Sequence, residues 1–415
     1  MQNQKKLSYK STLTACYIGY ITQAIVVNFV PILFTVFQDE FHLSFSELGN
    51  LVLINFVVQI ITDIVSAKYV DKIGFRKAAI PAHILCASGL IGLFVLPNIM
   101  PNPYAALVIS TMIYAFGGGM IEVVVSPIVV ALPSDNNSAA MSLLHSFYCW
   151  GQLAVVLLTT LALKIFGHKV WGILSVFWAL IPIINTYIFT RVPLPKTNPE
   201  ERHSIRDLLK TRAFLTILLL MAAGGAAAQV MAQWSSLFAQ KGLMTSKLIG
   251  DFLGPCMFAF FMGIGRMLYG IKGEKLNLRK SLLACSIMCI ICYFISALSL
   301  NPWLSLAGCA LTGFAVSLMW PGMLSFSSAR FPNGGAAMFG VLAIFGDIGC
   351  SVGPWLTGIV SDSAQKLPQL TALTEKYSLS IEQIGLKAGI LIGIIFPVTM
   401  LLGLISLKNK NTKNS

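Results

Sequence analysis

The sequence predicts an all-α membrane protein, with twelve transmembrane helices in two pseudo-symmetric six-helix bundles. Three observations carry that expectation. Hydrophobic residues fill 56% of the 415 positions and charged residues 11%, less than half the roughly 25% charge of soluble domains, and the mean hydropathy is +0.77. Apolar runs long enough to cross a bilayer, about 20 residues each, recur along the whole chain. One long polar segment, Arg191 to Arg212, interrupts them near the middle. This composition excludes a soluble enzyme, a disordered chain and a nucleic-acid-binding domain.

The first run, roughly residues 12–37, follows the basic start MQNQKKLSYK with no small-residue cleavage site after it. It reads as a retained helix and not as a signal peptide. The second, roughly 47–67, opens at Ser44-Phe-Ser-Glu47, the pattern of a capping box. Runs at roughly 78–97, 104–130, 139–165 and 170–190 complete the first set. The second set falls at roughly 213–239, 248–269, 281–299, 303–325, 335–361 and 386–407, with another capping-box pattern, Ser380-Ile-Glu-Gln383, ahead of the last. Residues 1-190 are therefore expected to form one bundle and 213-415 the other, joined by a linker over 191-212 that holds three prolines. Such a joint suits a duplicated six-helix unit. Repetition supports it: the second span opens LSFSELGNL and ends SAKYVDKIGFRK, while the eighth opens MTSKLIGDFL and ends GRMLYGIKGEKLNLRK.

With the N-terminus placed in the cytoplasm, 22 of the 29 Lys and Arg fall on cytoplasmic segments and seven on outer ones. That bias satisfies the positive-inside rule and puts both termini inside. The net charge of +13 is then topology and not nucleic-acid affinity. Residues 266–280 count among the cytoplasmic segments, so no Lys or Arg is expected deep in a span. All nine cysteines sit in apolar stretches, without loop spacing for disulfides or zinc. Cys285, Cys289 and Cys292 share a helix face and read as small buried residues.

Four acids do fall inside spans: Asp63, Glu122, Asp251 and Asp347. A charged group at the bilayer centre costs about 2.5–3.5 kcal/mol on insertion scales, so such a residue normally faces a bundle interior or an aqueous cavity. Asp347 lies near the middle of the eleventh run and Glu122 near that of the fourth, where function is the expectation. Asp63 and Asp251 lie nearer helix ends, where a structural role serves as well. Asp347 has no basic group at its depth, so it should be protonated, hydrated or bound to a cation. Polar residues also recur at helical spacing: Gln229, Gln233, Ser236 and Gln240 on the seventh run, Ser142, His145, Cys149 and Gln152 on the fifth, and Asn55, Gln59, Asp63 and Ser66 on the second. Each stripe alone could be interhelical glue; together they argue for a shared polar cavity. Gln23, Asn28, Trp234 and Trp320 would supplement it. Gln23 and Asn28 are five apart, so at most one points inward. Either indole could stack on a ring or simply pack. The glycine ladder Gly385, Gly389 and Gly393 reads as helix packing, and Gly117 to Gly119 as a loosening of the fourth helix.

The loop Ala67-Lys-Tyr-Val-Asp71-Lys72-Ile-Gly74-Phe-Arg76-Lys77, between the second and third spans, resembles the GxxxDRxGRR signature of the major facilitator superfamily. Asp71, Gly74 and Arg76 match, while Ala67 and Lys72 replace a glycine and an arginine. Gly117-Gly-Gly-Met-Ile-Glu122-Val-Val-Val-Ser126-Pro127 and Ala140-Met-Ser142-Leu-Leu-His145-Ser-Phe147 through Gly151 are similar to stretches of fucose–proton symporter-like sugar permeases. Ser317-Leu-Met-Trp320-Pro321, Gly353-Pro354 and Gly358 through Asp362 follow that family's second half. The resemblance implies a transporter working by alternating access, with Glu122 in proton coupling and His145, where the family often has glutamine, in solute contact. The first span lacks the family's second carboxylate, and Asp347 is the expected replacement from the opposite bundle. Gln23, Asn28, Gln59, Gln229, Gln233, Trp234 and Trp320 complete the expected solute site, and Asp71, Gly74 and Arg76 the gating loop.

The expectation is proton-coupled symport of a sugar or other small polar solute by a monomer in the cell membrane, with no cofactor, metal, nucleotide or nucleic acid. The chain has no Walker A sequence, and so no nucleotide drive. An exporter of amphipathic compounds is the nearest rival, and it predicts a cavity dominated by aromatics and methionines. A membrane enzyme would need a motif such as HExxH or GxSxG, and a channel a repeated pore loop; neither is present.

Overall fold

A computed structural model describes residues 9–132, 137–195, 208–272, 277–331 and 335–407. Among these residues there is no strand. Twelve helices are long and apolar enough to cross a membrane. The first six are α1 (Tyr9–Ile32), α2 (Phe45–Ser66), α3 (Phe75–Ile99), α4 (Pro103–Val129), α5 (Leu143–Phe166) and α6 (His168–Arg191). The second six are α7 (Arg212–Gly242), α8 (Lys247–Tyr269), α9 (Leu278–Leu298), α10 (Pro302–Arg330), α11 (Met338–Ala364) and α12 (Ile381–Ser406). Most of the proline-rich linker, 196–207, lies outside the described residues. Its position still defines two ends: a linker end, where α6 leaves and α7 begins, and a far end.

Two boundaries differ from the apolar runs. The first helix stops at Ile32 beside Pro31, and a separate helix, Phe34–Phe41, follows. At the break the Leu33 amide donates to the Val30 carbonyl at 2.9 Å, a tightened turn that ends the first helix. The second helix continues past its apolar run to Ile73. Asp63 therefore lies well inside a helix and not near its end, as the length of the apolar run suggests.

Helix starts are written locally. Ser44 Oγ accepts from the Glu47 amide at 3.2 Å while the Glu47 carboxylate accepts from the Ser44 amide at 2.8 Å. Ser380 and Gln383 repeat the arrangement at 3.1 and 2.8 Å. Two further starts pair asparagine with proline. Asn102-Pro103 opens α4 and Asn301-Pro302 opens α10, each with the asparagine side chain accepting a first-turn amide and proline in the first turn, where its missing donor costs nothing. These starts occupy equivalent places in the two halves.

The signature loop has an equally concrete job. Gly74 takes φ +85°, and Arg76 beyond it donates to the carbonyls of Thr190 and of Val192, the latter at 2.7 Å, at the end of α6. In the second half Arg279 donates to the Leu404 carbonyl at 2.8 Å, at the end of α12. A guanidinium thus closes the terminal carbonyls of the sixth helix in each half, where a helix exposes acceptors and negative potential. The Asp71 side chain lies outside the described residues.

The halves meet along α2 against α11, α5 against α8 and α1 against α7. Within the second half α7 and α11 touch backbone to backbone: a Cβ on Gly225 would strike the Gly346 carbonyl, and one on Gly349 the Ala222 carbonyl. The ladder on α12 packs as expected, Gly385 and Gly389 against Ser361 of α11 and Gly393 against Tyr293 of α9. Gly117, Gly118 and Gly119 do not loosen α4, which is helical throughout. They are contact points with three different helices: Gly117 meets Ala82 and Cys86 on α3, Gly118 meets Gln23 on α1, and Gly119 meets Gln59 on α2.

Among the described residues, three polar ties join the halves at the far end. The Ser46 amide donates to Asp362 at 2.8 Å, Lys241 pairs with Asp39 at 2.9 Å, and Lys247 donates to the Ile32 carbonyl at 2.8 Å. Deeper, Asp251 is fully engaged. It accepts from Thr160 of α5 at 2.6 Å and from Ser236 of α7, and it pairs with Lys247 at 3.1 Å.

Because the α7–α11 contact leaves no room for a side chain, Gly349→Val is expected to destabilise the protein by about 1–3 kcal/mol, the usual range for overpacking. Gly340→Ala, on the same helix with nothing within 4 Å of an added Cβ, serves as the control. Thermal melting in detergent should separate the two; equal melting temperatures would contradict the packing assigned to α7 and α11.

Candidate functional site

At mid-depth the two halves enclose a cavity of about 110 Å³, room for several water-sized groups. Tyr20, Gln23, Glu122, His145, Tyr148 and Gln152 line it from the first half. Gln229, Arg266, Trp320 and Asp347 line it from the second, with Phe56, Phe258 and Met262 supplying apolar wall. Helical periodicity explains the convergence: on α5, His145 and Gln152 are two turns apart on one face, with Cys149 between them.

Glutamines organise the first-half wall. Gln23 Nε2 donates to Gln59 Oε1 at 2.6 Å and to Glu122 Oε2 at 3.3 Å. Gln59 in turn donates to Asn55 at 2.8 Å. The amide chain runs from α2 through α1 to the carboxyl on α4. Gln59 and Asn55 stand behind the wall and orient Gln23. Tyr20 shares a hydrogen bond with Ser126 at 2.9 Å and meets the His145 ring edge-on, centroids 5.1 Å apart. Asn28 does not line the cavity; it donates to the Tyr148 hydroxyl at 3.2 Å. Of Gln23 and Asn28, one faces inward, as their spacing requires.

In the second half, Gln229 reaches the cavity and accepts from Gln233 at 3.0 Å, while Gln233 also donates to the Val27 carbonyl of α1 at 3.3 Å. Gln233 is thus a cross-bundle tie behind the wall. Trp320 lies over Gly346, where a side chain would collide with the indole. Trp234 does not belong to the site. It is fully buried between Phe34 and Phe45, and its indole N–H donates to the Pro354 carbonyl at 3.0 Å.

Two findings change the reading of the acids and bases. Asp347 is not a lone acid: Asp63 of α2 lies near it across the junction of the halves, close enough for the two carboxyls to interact. Both are buried, and each has a carboxyl oxygen with no hydrogen-bond partner. Arg266, assigned to a loop by the charge count, sits inside α8 and lines the cavity. Its Nη1 donates to Cys149 Sγ at 3.4 Å. Of the fifth-helix stripe, the Ser142 side chain lies outside the described residues.

The sequence profile of the Major Facilitator Superfamily matches residues 16–354. The chain belongs to that superfamily. Comparison with curated proteins gives no match. Among solved structures, this superfamily member is similar to a bacterial homologue of the human lysosomal transporter Spinster in an inward-facing, occupied conformation, with a TM-score of 0.72 at 14% identity over 96% of both chains. A D-xylose–proton symporter aligns at 0.69 and 14% identity, covering 94% of this chain and 97% of that one. A variant of the E. coli fucose–proton symporter aligns at 0.64 and 15% identity, covering 96% and 99%. At these identities the likeness shows the fold. The protein is a multi-pass integral membrane protein with the major facilitator architecture.

Removing the Trp234 hydrogen bond by Trp234→Phe is expected to lower stability by about 0.5–1.5 kcal/mol. Asp251→Ala, which strips Lys247 of its buried partner, should cost about 3–5 kcal/mol. Melting curves of the purified variants check the order; a Trp234→Phe loss as large as that of Asp251→Ala would contradict the assignments.

Proposed function

We propose that this superfamily member is a proton-coupled symporter that carries a small polar solute, a sugar or close relative, into the cell by alternating access. It acts as a monomer in the cell membrane, with both termini and the linker end cytoplasmic, where the basic residues concentrate. The observation that carries the reading is the junction cavity, in which Glu122 meets hydrogen-bonding groups from both halves. A solute spanning that cavity bridges the bundles, so its binding favours the arrangement that closes around it. The symporter likeness in fold supports the same class, and the glutamines, Glu122, His145 and Arg266 in the wall disfavour an exporter of amphipathic compounds.

In this scheme Glu122 takes a proton from the outside. Gln23, which donates to the carboxylate, can turn its amide to a solute once the proton is on. Asp347, paired with Asp63, is the second proton-binding group, replacing the carboxylate absent from α1. Because Asp63 and Asp347 come from opposite halves, loss of their shared proton sets like charges against each other across the junction and favours separation. Proton release on the cytoplasmic side then goes with opening there. Gradient energy enters through the difference in proton affinity between the two arrangements.

Glu122→Gln is expected to abolish accumulation driven by an imposed pH gradient in proteoliposomes, while exchange between equal solute pools persists. Undiminished accumulation would remove Glu122 from the coupling. Asp347→Asn should shift the pH profile of uptake or lower the proton-to-solute ratio, and Asp63→Asn should do the same if the two share one proton. An unchanged profile and ratio in both would leave the pair with a structural role alone.

A further inference from the structure

Arg266 is unaccounted for by a site built for a neutral sugar. Among the described residues it is the one Lys or Arg lining the cavity, and it sits within the membrane-spanning part of α8. A guanidinium has five N–H donors in a planar fork. Here its hydrogen bond from Nη1 ends on a thiol, a weak acceptor, at 3.4 Å, and Nε is buried with no partner. The ion pairs of Lys241 with Asp39 and of Lys247 with Asp251 lie elsewhere. Neither cavity acid pairs with Arg266: Glu122 accepts from Gln23, and Asp347 lies beside Asp63. A cation held in a bilayer without a paired counter-ion is unfavourable, and an anionic solute would supply that pair.

The rest of the wall specifies the remainder of that solute. Gln23 Oε1 and Gln152 Oε1 are buried acceptors without donors, and both residues line the cavity on the half opposite Arg266. They call for hydroxyl groups. A single planar fork matches one carboxylate with two parallel hydrogen bonds. A phosphate monoester, bringing about two charges, would exceed it.

We infer that the solute is a small hydroxylated monocarboxylate, a sugar acid, with its carboxylate on Arg266 and its hydroxyls donating to Gln23 and Gln152. This rests on the cavity being the solute site, as proposed above. It does not require proton coupling.

The test is binding to the full-length protein purified in detergent, by calorimetry. The probes are D-glucuronate and D-gluconate against D-glucose and L-fucose. At least one acid should bind the unaltered protein at least about tenfold more tightly than either neutral sugar, the effect of a charge-assisted contact. Arg266→Gln should erase that preference and Arg266→Lys retain part of it, since lysine keeps the charge without the fork. Neutral sugars binding as well as the acids, neither acid binding, or a preference that survives in Arg266→Gln would overturn the inference. Should Arg266→Gln fail to fold, the comparison on the unaltered protein and on Arg266→Lys still decides. Acid binding without pH-driven accumulation in proteoliposomes would retire proton coupling and leave the anion site standing.

Discussion

A polar side chain inside a bilayer has only its own protein to bond with, and that constraint shapes everything at the centre of this molecule. The lipid-facing surface carries residues such as Ile173, Phe177 and Leu219, each more than half exposed. Polar groups retreat into the bundle and satisfy one another in chains: His83 with Asn185, Gln59 with Gln23, Ser236 and Thr160 with Asp251. Where such chains end without a partner, at Gln23, Gln152 and Arg266, the protein keeps bonding capacity in reserve. These three share the cavity wall, so there the reserve faces a space that a solute can enter.

The same rule explains what could be read in the chain beforehand. The twelve spans, both capping boxes and the α12 glycine ladder are local patterns of apolar run, cap residue or i,i+4 spacing, and they are legible in one dimension. The convergence of Gln23, Glu122, His145 and Gln229 was legible too, because polar stripes on apolar helices have few places to point. Arg266 was misplaced because Gly265 and Arg266 begin a segment that imitates the basic loop after α2, and counting charges by loop cannot tell the last turn of a span from the first residue beyond it. Asp63 was misjudged for a related reason: the apolar run ends where the helix does not. Trp234 shares its helix with cavity residues, but three-dimensional packing decided which face it occupies. Asp63 and Asp347, brought near each other by the fold, are 284 positions apart in sequence, and no local signal encodes their proximity.

Duplication accounts for the architecture but not for the distribution of work. The Asn-Pro starts of α4 and α10 and the arginine closures of α6 and α12 are shared by the halves. The acids are not: Glu122 and Asp63 lie in the first half, Asp347 and Asp251 in the second. The helices around the far-end network also differ, since α7 and α8 carry π-helical stretches, Phe238–Gly242 and Phe252–Cys256. Such wide turns insert an extra residue and often accompany functional sites. They flank Asp251, whose bonds tie α5 to α7 and α8.

The backbone contact of α7 with α11 reaches further than packing. Helices separated by side chains can slide, since rotamers absorb small shifts. Helices in contact through Gly225, Gly349 and Gly353 have no such cushion, so the two behave as a single stiff plank. One ply of that plank carries Gln229 and the other Asp347, one facing the cavity and the other the opposite half. Whatever tilts one ply tilts the other, so an event at the amide and an event at the carboxyl reach the rest of the molecule as the same movement.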